Sequence, residues 1–170
     1  MKVELKEYQK RLANFIEQKK KAIISVDMGL GKTLATLAWL DWFAKRKNYR
    51  TFGIIIAPKR VAENNWQQEM LKFGYNQLAD ISVIVKGSAG KREHARADCS
   101  SSIKIIGRDN IADLNTSQCY DFVIFDELTS FKNIKSKRYK KASALKATYK
   151  IGLTGTLLAN GAIDIYAQAE

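Results

Sequence analysis

The 170-residue sequence predicts a single α/β domain, a parallel β-sheet with helices on both faces. Short, β-branched apolar runs alternate with longer helical patterns along the chain. Those runs are apolar at successive rather than alternate positions, which strands covered on both sides require. With 46% hydrophobic residues, one proline (Pro58), no internal repeat and no linker-like stretch, the composition suits one compact core.

The elements follow in order. A helix is expected over Leu5–Gln18, with Tyr8, Leu12, Phe15 and Ile16 on one face and Lys6, Lys10, Arg11 and Glu17 outside it. Ala22–Val26 reads as a buried strand. A glycine loop follows, then Thr33–Ala44, apolar almost all round through Leu34, Leu37, Trp39, Leu40, Trp42 and Phe43. A helix of that character is buried on several sides, which places Trp39 and Trp42 in the core. Phe52–Ala57, Ile81–Val85, Ile103–Ile106 and Phe122–Phe125 read as further strands, with Tyr149–Leu153 a sixth. Ala62, Trp66, Met70 and Phe73 form a helical stripe, so Trp66 reads as core in preference to a base-stacking surface residue.

Composition narrows the partners. No apolar run approaches a membrane span, and the first dozen residues are unlike a signal peptide. Cys99 and Cys119 share no metal-like spacing and read as reduced thiols of a cytosolic protein. His94 lies in a charged stretch and reads as surface. Twenty-nine Lys+Arg against 17 Asp+Glu give a net charge of +12, which favours polyanions, nucleic acid first. Residues 131–150 hold eight basic side chains and no acidic one.

Two segments carry chemistry. In Asp27-Met28-Gly29-Leu30-Gly31-Lys32-Thr33, a strand-to-helix turn can aim backbone N–H groups and a helix dipole at phosphate. The glycines allow the close approach, Lys32 reaches the outer phosphates, and the Thr33 hydroxyl suits magnesium. Val26 stands where the generic pattern G-x-x-x-x-G-K-[ST] has its first glycine. Asp126-Glu127 follows the run Phe122–Phe125, at the strand end where α/β sheets bind ligands. Asp126 is the candidate magnesium ligand, and Glu127 the group that orients or deprotonates a water.

With these residues in hand, the chain resembles the first motor lobe of a superfamily-two helicase-like ATPase of the Swi/Snf type, a RecA-like P-loop fold. The loop from Asp27 to Thr33 matches that family's throughout, and the family does not require a glycine at Val26. Leu5-Lys6-Glu7-Tyr8-Gln9 resembles the segment whose glutamine reads adenine. Ala57-Pro58 with Trp66 and Glu69 resembles motif Ia. Asp126-Glu127 with Lys132-Asn133 resembles motif II, and Leu153-Thr154-Gly155-Thr156 with Asn160 resembles motif III. The match spans nearly the whole chain in the family's order, and its style is closest to phage and bacterial members. Thr129 stands where most relatives carry histidine, and Leu157 and Ala159 replace the usual proline and glutamine.

The resemblance implies Mg-ATP at Gln9, Met28, Gly29, Leu30, Gly31, Lys32 and Thr33, with Lys32, Asp126 and Glu127 catalytic and Thr33 and Asp126 on Mg²⁺. It implies coupling of hydrolysis to movement through Thr154, Gly155 and Thr156. Double-stranded DNA would be held by its backbone, with Lys59, Arg60, Arg108, Lys132, Asn133, Lys135, Lys137 and Arg138 as candidate contacts. For Lys135–Lys141 a solvated helix face, with Tyr139, Ala142 and Leu145 as its buried stripe, is the competing reading. The expected compartment is the cytoplasm of a bacterium or phage-infected cell. Residues 1–170 would form one ATP-binding lobe. The second lobe, whose arginines complete the site, would lie outside this chain and act in cis or in trans, so hydrolysis by the chain alone is expected to be weak. A stand-alone binding module that recruits or regulates a partner is the alternative. A small P-loop kinase fits less well, because motif Ia and Thr-Gly-Thr stand where it would need an acceptor pocket and lid arginines.

Overall fold

The computed structural model describes residues 2–27, 29–86, 102–131, 133 and 135–155. Its strands are β1 (Lys21–Ser25), β2 (Gly53–Ala57), β3 (Ser82–Val85), β4 (Ile103–Gly107), β5 (Cys119–Asp126) and β6 (Lys146–Thr154). All pair in parallel, in the order β1-β6-β5-β2-β4-β3. Five α-helices connect or precede them: α1 (Glu7–Lys19), α2 (Lys32–Arg46), α3 (Lys59–Lys72), α4 (Asn76–Asp80) and α5 (Lys137–Ser143), with 3-10 turns at Arg108–Asp113 and Leu128–Phe131. Each strand expected from its apolar run is present, and the last two are longer at their amino ends. Parallel neighbours supply backbone partners there even where the side chains are polar.

One face of the sheet packs on α1, α2 and α3 through Ile16, Leu37, Trp39, Leu40, Trp66 and Met70. Trp39, Phe43, Phe122 and Tyr149 meet there as an aromatic cluster, with Trp39 stacked on Phe43 and Phe122 edge-on to both. Gly53 opens β2 because a Cβ there would stand 2.2 Å from Phe122 Cζ. The opposite face carries Ile54, Ile56, Ile106 and Val123 under the 3-10 turns and α5. Tyr139, Ala142 and Leu145 are its buried contribution from the basic stretch, so Lys137 and Lys140 point outward from an anchored helix. Among the described residues no helix is long and apolar enough to cross a membrane.

Three aromatic expectations need correction. Tyr8 is 37% and Phe15 40% exposed, whereas Ile16 is buried as expected and Gln9 is buried with it. Tyr8 turns outward to donate its hydroxyl to the Leu30 carbonyl at 2.7 Å. Phe15 borders an apolar cavity of about 310 Å³ on the second sheet face, with Phe125, Leu128 and Phe131. Trp42 is 45% exposed, and the Arg46 guanidinium lies over its ring at 3.6 Å. That cation–π contact makes an outward-facing indole tolerable on a helix already buried elsewhere. Trp39, by contrast, is buried as expected.

Candidate functional site

The sheet's register brings the chemistry-bearing residues to one edge. Ser25 of β1 lies opposite Thr154 of β6, and Leu153 of β6 opposite Asp126 of β5. The carboxyl end of β6 therefore sits between the glycine loop and the acidic pair. The Val26 N–H donates to the Thr154 carbonyl at 3.2 Å, so Thr154 and Gly155 adjoin the loop directly. Met28, Lys132, Thr156, Asn160, His94 and Cys99 lie outside the described residues, while Cys119 is a free, exposed thiol at the start of β5.

The loop is shaped by glycine. Gly29 and Gly31 have φ of 82° and 76°, and Gly31 is the left-handed N-cap of α2. Its missing Cβ matters twice, since one would also stand 2.2 Å from Gln9 Nε2. Gln9 is 5% exposed and its Oε1 accepts the Lys6 N–H at 3.0 Å, the reciprocal half of a capping box. That bond fixes the side chain against the loop. The Lys32 ammonium donates to the Val26 carbonyl and, at 3.1 Å, to that of Asp27. The loop's own carbonyls thus hold the cation where an incoming anion would compete for it. No acidic residue occupies the first turn of α2, so its helix dipole is left to other anions.

The carboxylates are held under tension. Burial pushes Asp126 up to about 6, against which the Trp66 indole N–H, donating to Oδ2 at 3.0 Å, pulls downward. The charges of Glu127 and, less strongly, Glu69 push it up again. The Glu127 N–H donates to Asp126 Oδ1 at 3.1 Å, and Glu127 adopts φ of 56°. A left-handed backbone at a residue other than glycine is costly and concentrates at functional sites. Ser130 holds that turn through its N–H and hydroxyl, both donating to the Glu127 carbonyl. Burial raises the carboxyl of Glu69, half-buried on α3, above the usual range, and the nearby Thr33 hydroxyl draws it part of the way back.

These oxygens suit magnesium. Among the described residues no three His, Cys, Asp or Glu side chains gather into a cage. Mg²⁺ is ordinarily held by one or two protein oxygens together with waters and phosphate oxygens, and the Thr33 hydroxyl and the Asp126 carboxylate are oxygens that could serve it.

Trp66 does more than fill the core. Trp66→Phe keeps an aromatic ring but removes the donor to Asp126. It is expected to cost about 2 kcal/mol in urea unfolding, the scale of a hydrogen bond to a charged group. It also removes a contact that lowers the Asp126 pKa, so the pH below which magnesium-dependent nucleotide binding fails should move upward. A pH titration of binding checks the direction.

The candidate backbone contacts surround the same sheet edge. Lys59 and Arg60 are exposed in the first turn of α3, which has no acidic residue to balance them. A Cβ on Gly107 would stand 3.5 Å from the Lys59 Cα, which shows how closely α3 begins against the end of β4. Arg108 follows directly. Lys135 and Lys137 are exposed, as is Asn133, whose side-chain oxygen accepts from the Lys135 N–H. Arg138 is already paired with Asp109, Nη2 to Oδ1 at 2.7 Å, so part of its charge is met within the chain.

Comparison with known proteins gives a consistent result. Residues 8–168 match the family described as SNF2-related domain. "Putative protein p41" of Acyrthosiphon pisum secondary endosymbiont phage 1 is 29% identical across 95% of this chain and 37% of its own length. "Helicase SWR1" of Cryptococcus neoformans is 30% identical over 92% of this chain and 13% of its own. Among solved structures, the Sulfolobus solfataricus SWI2/SNF2 ATPase core in complex with dsDNA superposes with a TM-score of 0.78 at 25% identity, covering 99% of this chain and 36% of that one. The UvsW helicase from bacteriophage T4 superposes with a TM-score of 0.74 at 16% identity, covering 98% of this chain and 58% of that one, and shares the fold. The sheet is RecA-like, and the chain spans little more than a third of the phage relative it matches.

Proposed function

We propose, since this chain belongs to the SNF2-related domain family, that it is the ATP-binding lobe of a DNA-dependent motor that moves along duplex DNA. The observation that carries this reading is the shared sheet edge, with the glycine loop on β1, Thr154 on β6 and Asp126-Glu127 on β5 in consecutive positions.

Backbone N–H groups and the α2 N-terminus would cradle the triphosphate, and Lys32 would leave the Val26 and Asp27 carbonyls for the outer phosphates. Gln9, held beside Gly31, would read the base. Thr33 and Asp126 would hold Mg²⁺, which neutralises phosphate charge when bound. Glu127 would orient the attacking water and take its proton. Thr154 and Gly155 adjoin the loop and would carry the change in phosphate state toward the nucleic acid.

DNA would lie across Lys59, Arg60, Arg108, Lys132, Asn133, Lys135, Lys137 and Arg138. The unbalanced first turn of α3 supports this, because cations there oppose the helix dipole unless an anion is present. Contacts of this kind are independent of sequence and weaken steeply with salt. A second lobe would supply the arginines that complete the site.

The test is ATP turnover by this chain, alone and with a relative's second lobe, with and without duplex DNA. Weak turnover alone and duplex-stimulated turnover with the second lobe are expected. Nucleotide binding with no gain from either addition would instead favour a non-catalytic module that recruits a partner.

A further inference from the structure

Trp66 and Glu69 lie three residues apart on α3, and so project from the same side of the helix. Trp66 grips Asp126 through its indole N–H. Glu69 reaches toward the start of α2, where it faces the Thr33 hydroxyl. Its Oε2 is buried and has no hydrogen-bond partner. Glu69 is also near enough to Asp126 for the two charges to repel. A third carboxylate in this position adds repulsion that packing alone does not require.

We propose that Glu69 is a positioning residue that accepts the Thr33 hydroxyl proton and thereby turns a hydroxyl lone pair toward the magnesium site. A threonine hydroxyl has one proton and two lone pairs, and its rotation decides which of them faces a cation. With the proton held by Glu69, the oxygen presents a lone pair outward, toward Asp126 and the loop. Without that acceptor the hydroxyl can turn its proton to the nearest loop carbonyl or to water and offer the metal a worse ligand. One turn of α3 thus orients both protein ligands of the same ion, Asp126 through Trp66 and Thr33 through Glu69. Partners that orient metal ligands in this way typically change metal affinity by about 10- to 100-fold when removed.

This inference rests on the reading of Thr33 and Asp126 as magnesium ligands. The test is binding of a fluorescent ATP analogue to this chain, titrated with MgCl₂ and repeated in EDTA. Glu69→Gln and Glu69→Ala are expected to raise the magnesium concentration at half effect about tenfold, with metal-free binding unchanged. In a Thr33→Ala background, where no hydroxyl remains to orient, adding Glu69→Gln should change the magnesium response no further. A urea midpoint for each variant separates misfolding from loss of orientation, and Glu69→Asp serves as a second, conservative variant with intermediate effect. An unchanged magnesium requirement in folded Glu69 variants would overturn the inference and leave the nucleotide site standing. An equally large effect of Glu69→Gln without the Thr33 hydroxyl would overturn it too, because Glu69 would then act directly on the ion. A parent chain that binds the analogue with no magnesium dependence would sink the site assignment along with it.

Discussion

Asp126→Asn is expected to stabilise the free protein at pH 8 by up to about 3 kcal/mol while removing magnesium-dependent turnover. The two effects share one cause. Burial raises the Asp126 carboxyl from 3.8 to about 6, and a shift of that size corresponds to about 3 kcal/mol against the charged form. The folded protein resists ionisation more than the unfolded chain does. The penalty is therefore absent below pH 3.8, grows as pH rises through the interval up to 6, and is complete above it. Asparagine carries no such charge and its side-chain oxygen can still accept the Trp66 N–H. Urea unfolding of parent and variant at pH 8 and pH 4 should show the gap closing at the lower pH. A variant less stable than the parent at pH 8 would mean that losing the bond from the Glu127 N–H to Oδ1 outweighs relief of the buried charge. Saturating Mg-ATP should narrow the gap at pH 8, because a bound ligand stabilises only the parent's competent site.

Lys32→Ala is expected to weaken ATP binding by about 100-fold, roughly 3 kcal/mol, the scale of hydrogen bonds to a charged phosphate. Lys32 is a partly exposed side chain whose bonds in the free protein run to the Val26 and Asp27 carbonyls. Losing them should change the urea midpoint little, since water can reach those carbonyls. Adenosine, which has no phosphate, should bind parent and variant alike. Calorimetric titration with ATP and adenosine separates the two terms. Equal ATP affinity in parent and variant would remove the glycine loop from the phosphate site altogether.

The sheet was legible because a doubly covered parallel strand must be apolar on both sides, and the runs are mostly so, with Ser82, Lys104 and Lys150 among the polar interruptions. Helix faces were less legible. On α1 the apolar spacing selected Tyr8 and Phe15 along with Ile16, yet of these three only Ile16 is buried, and Gln9 is buried beside it. A tyrosine with a carbonyl to reach and a glutamine with a backbone N–H to satisfy reversed the hydropathy order there. Trp42 escaped burial for a similar reason, because Arg46 lies over its ring. At the site, the loop and the acidic pair were readable as motifs, whereas the links between them were not. Trp66 was legible as core and not as the donor to Asp126. Glu69 could be matched to a family segment without any role. The three-residue spacing from Trp66 to Glu69 was the available signal, and it could not reveal what lay opposite.

By itself the sequence determined the α/β class, the strand positions, the loop that suits phosphate and the two carboxylates at the end of β5. Those depend on local pattern, on residues within one strand, turn or helix. Only the tertiary structure decided that β6 inserts between β1 and β5, so that Thr154 touches the loop, and that one turn of α3 reaches both Thr33 and Asp126. It also set the acidity of Asp126, which depends on burial and on charges brought in from α3. Contacts between elements distant in sequence follow from how the faces pack, and no local pattern carries that information.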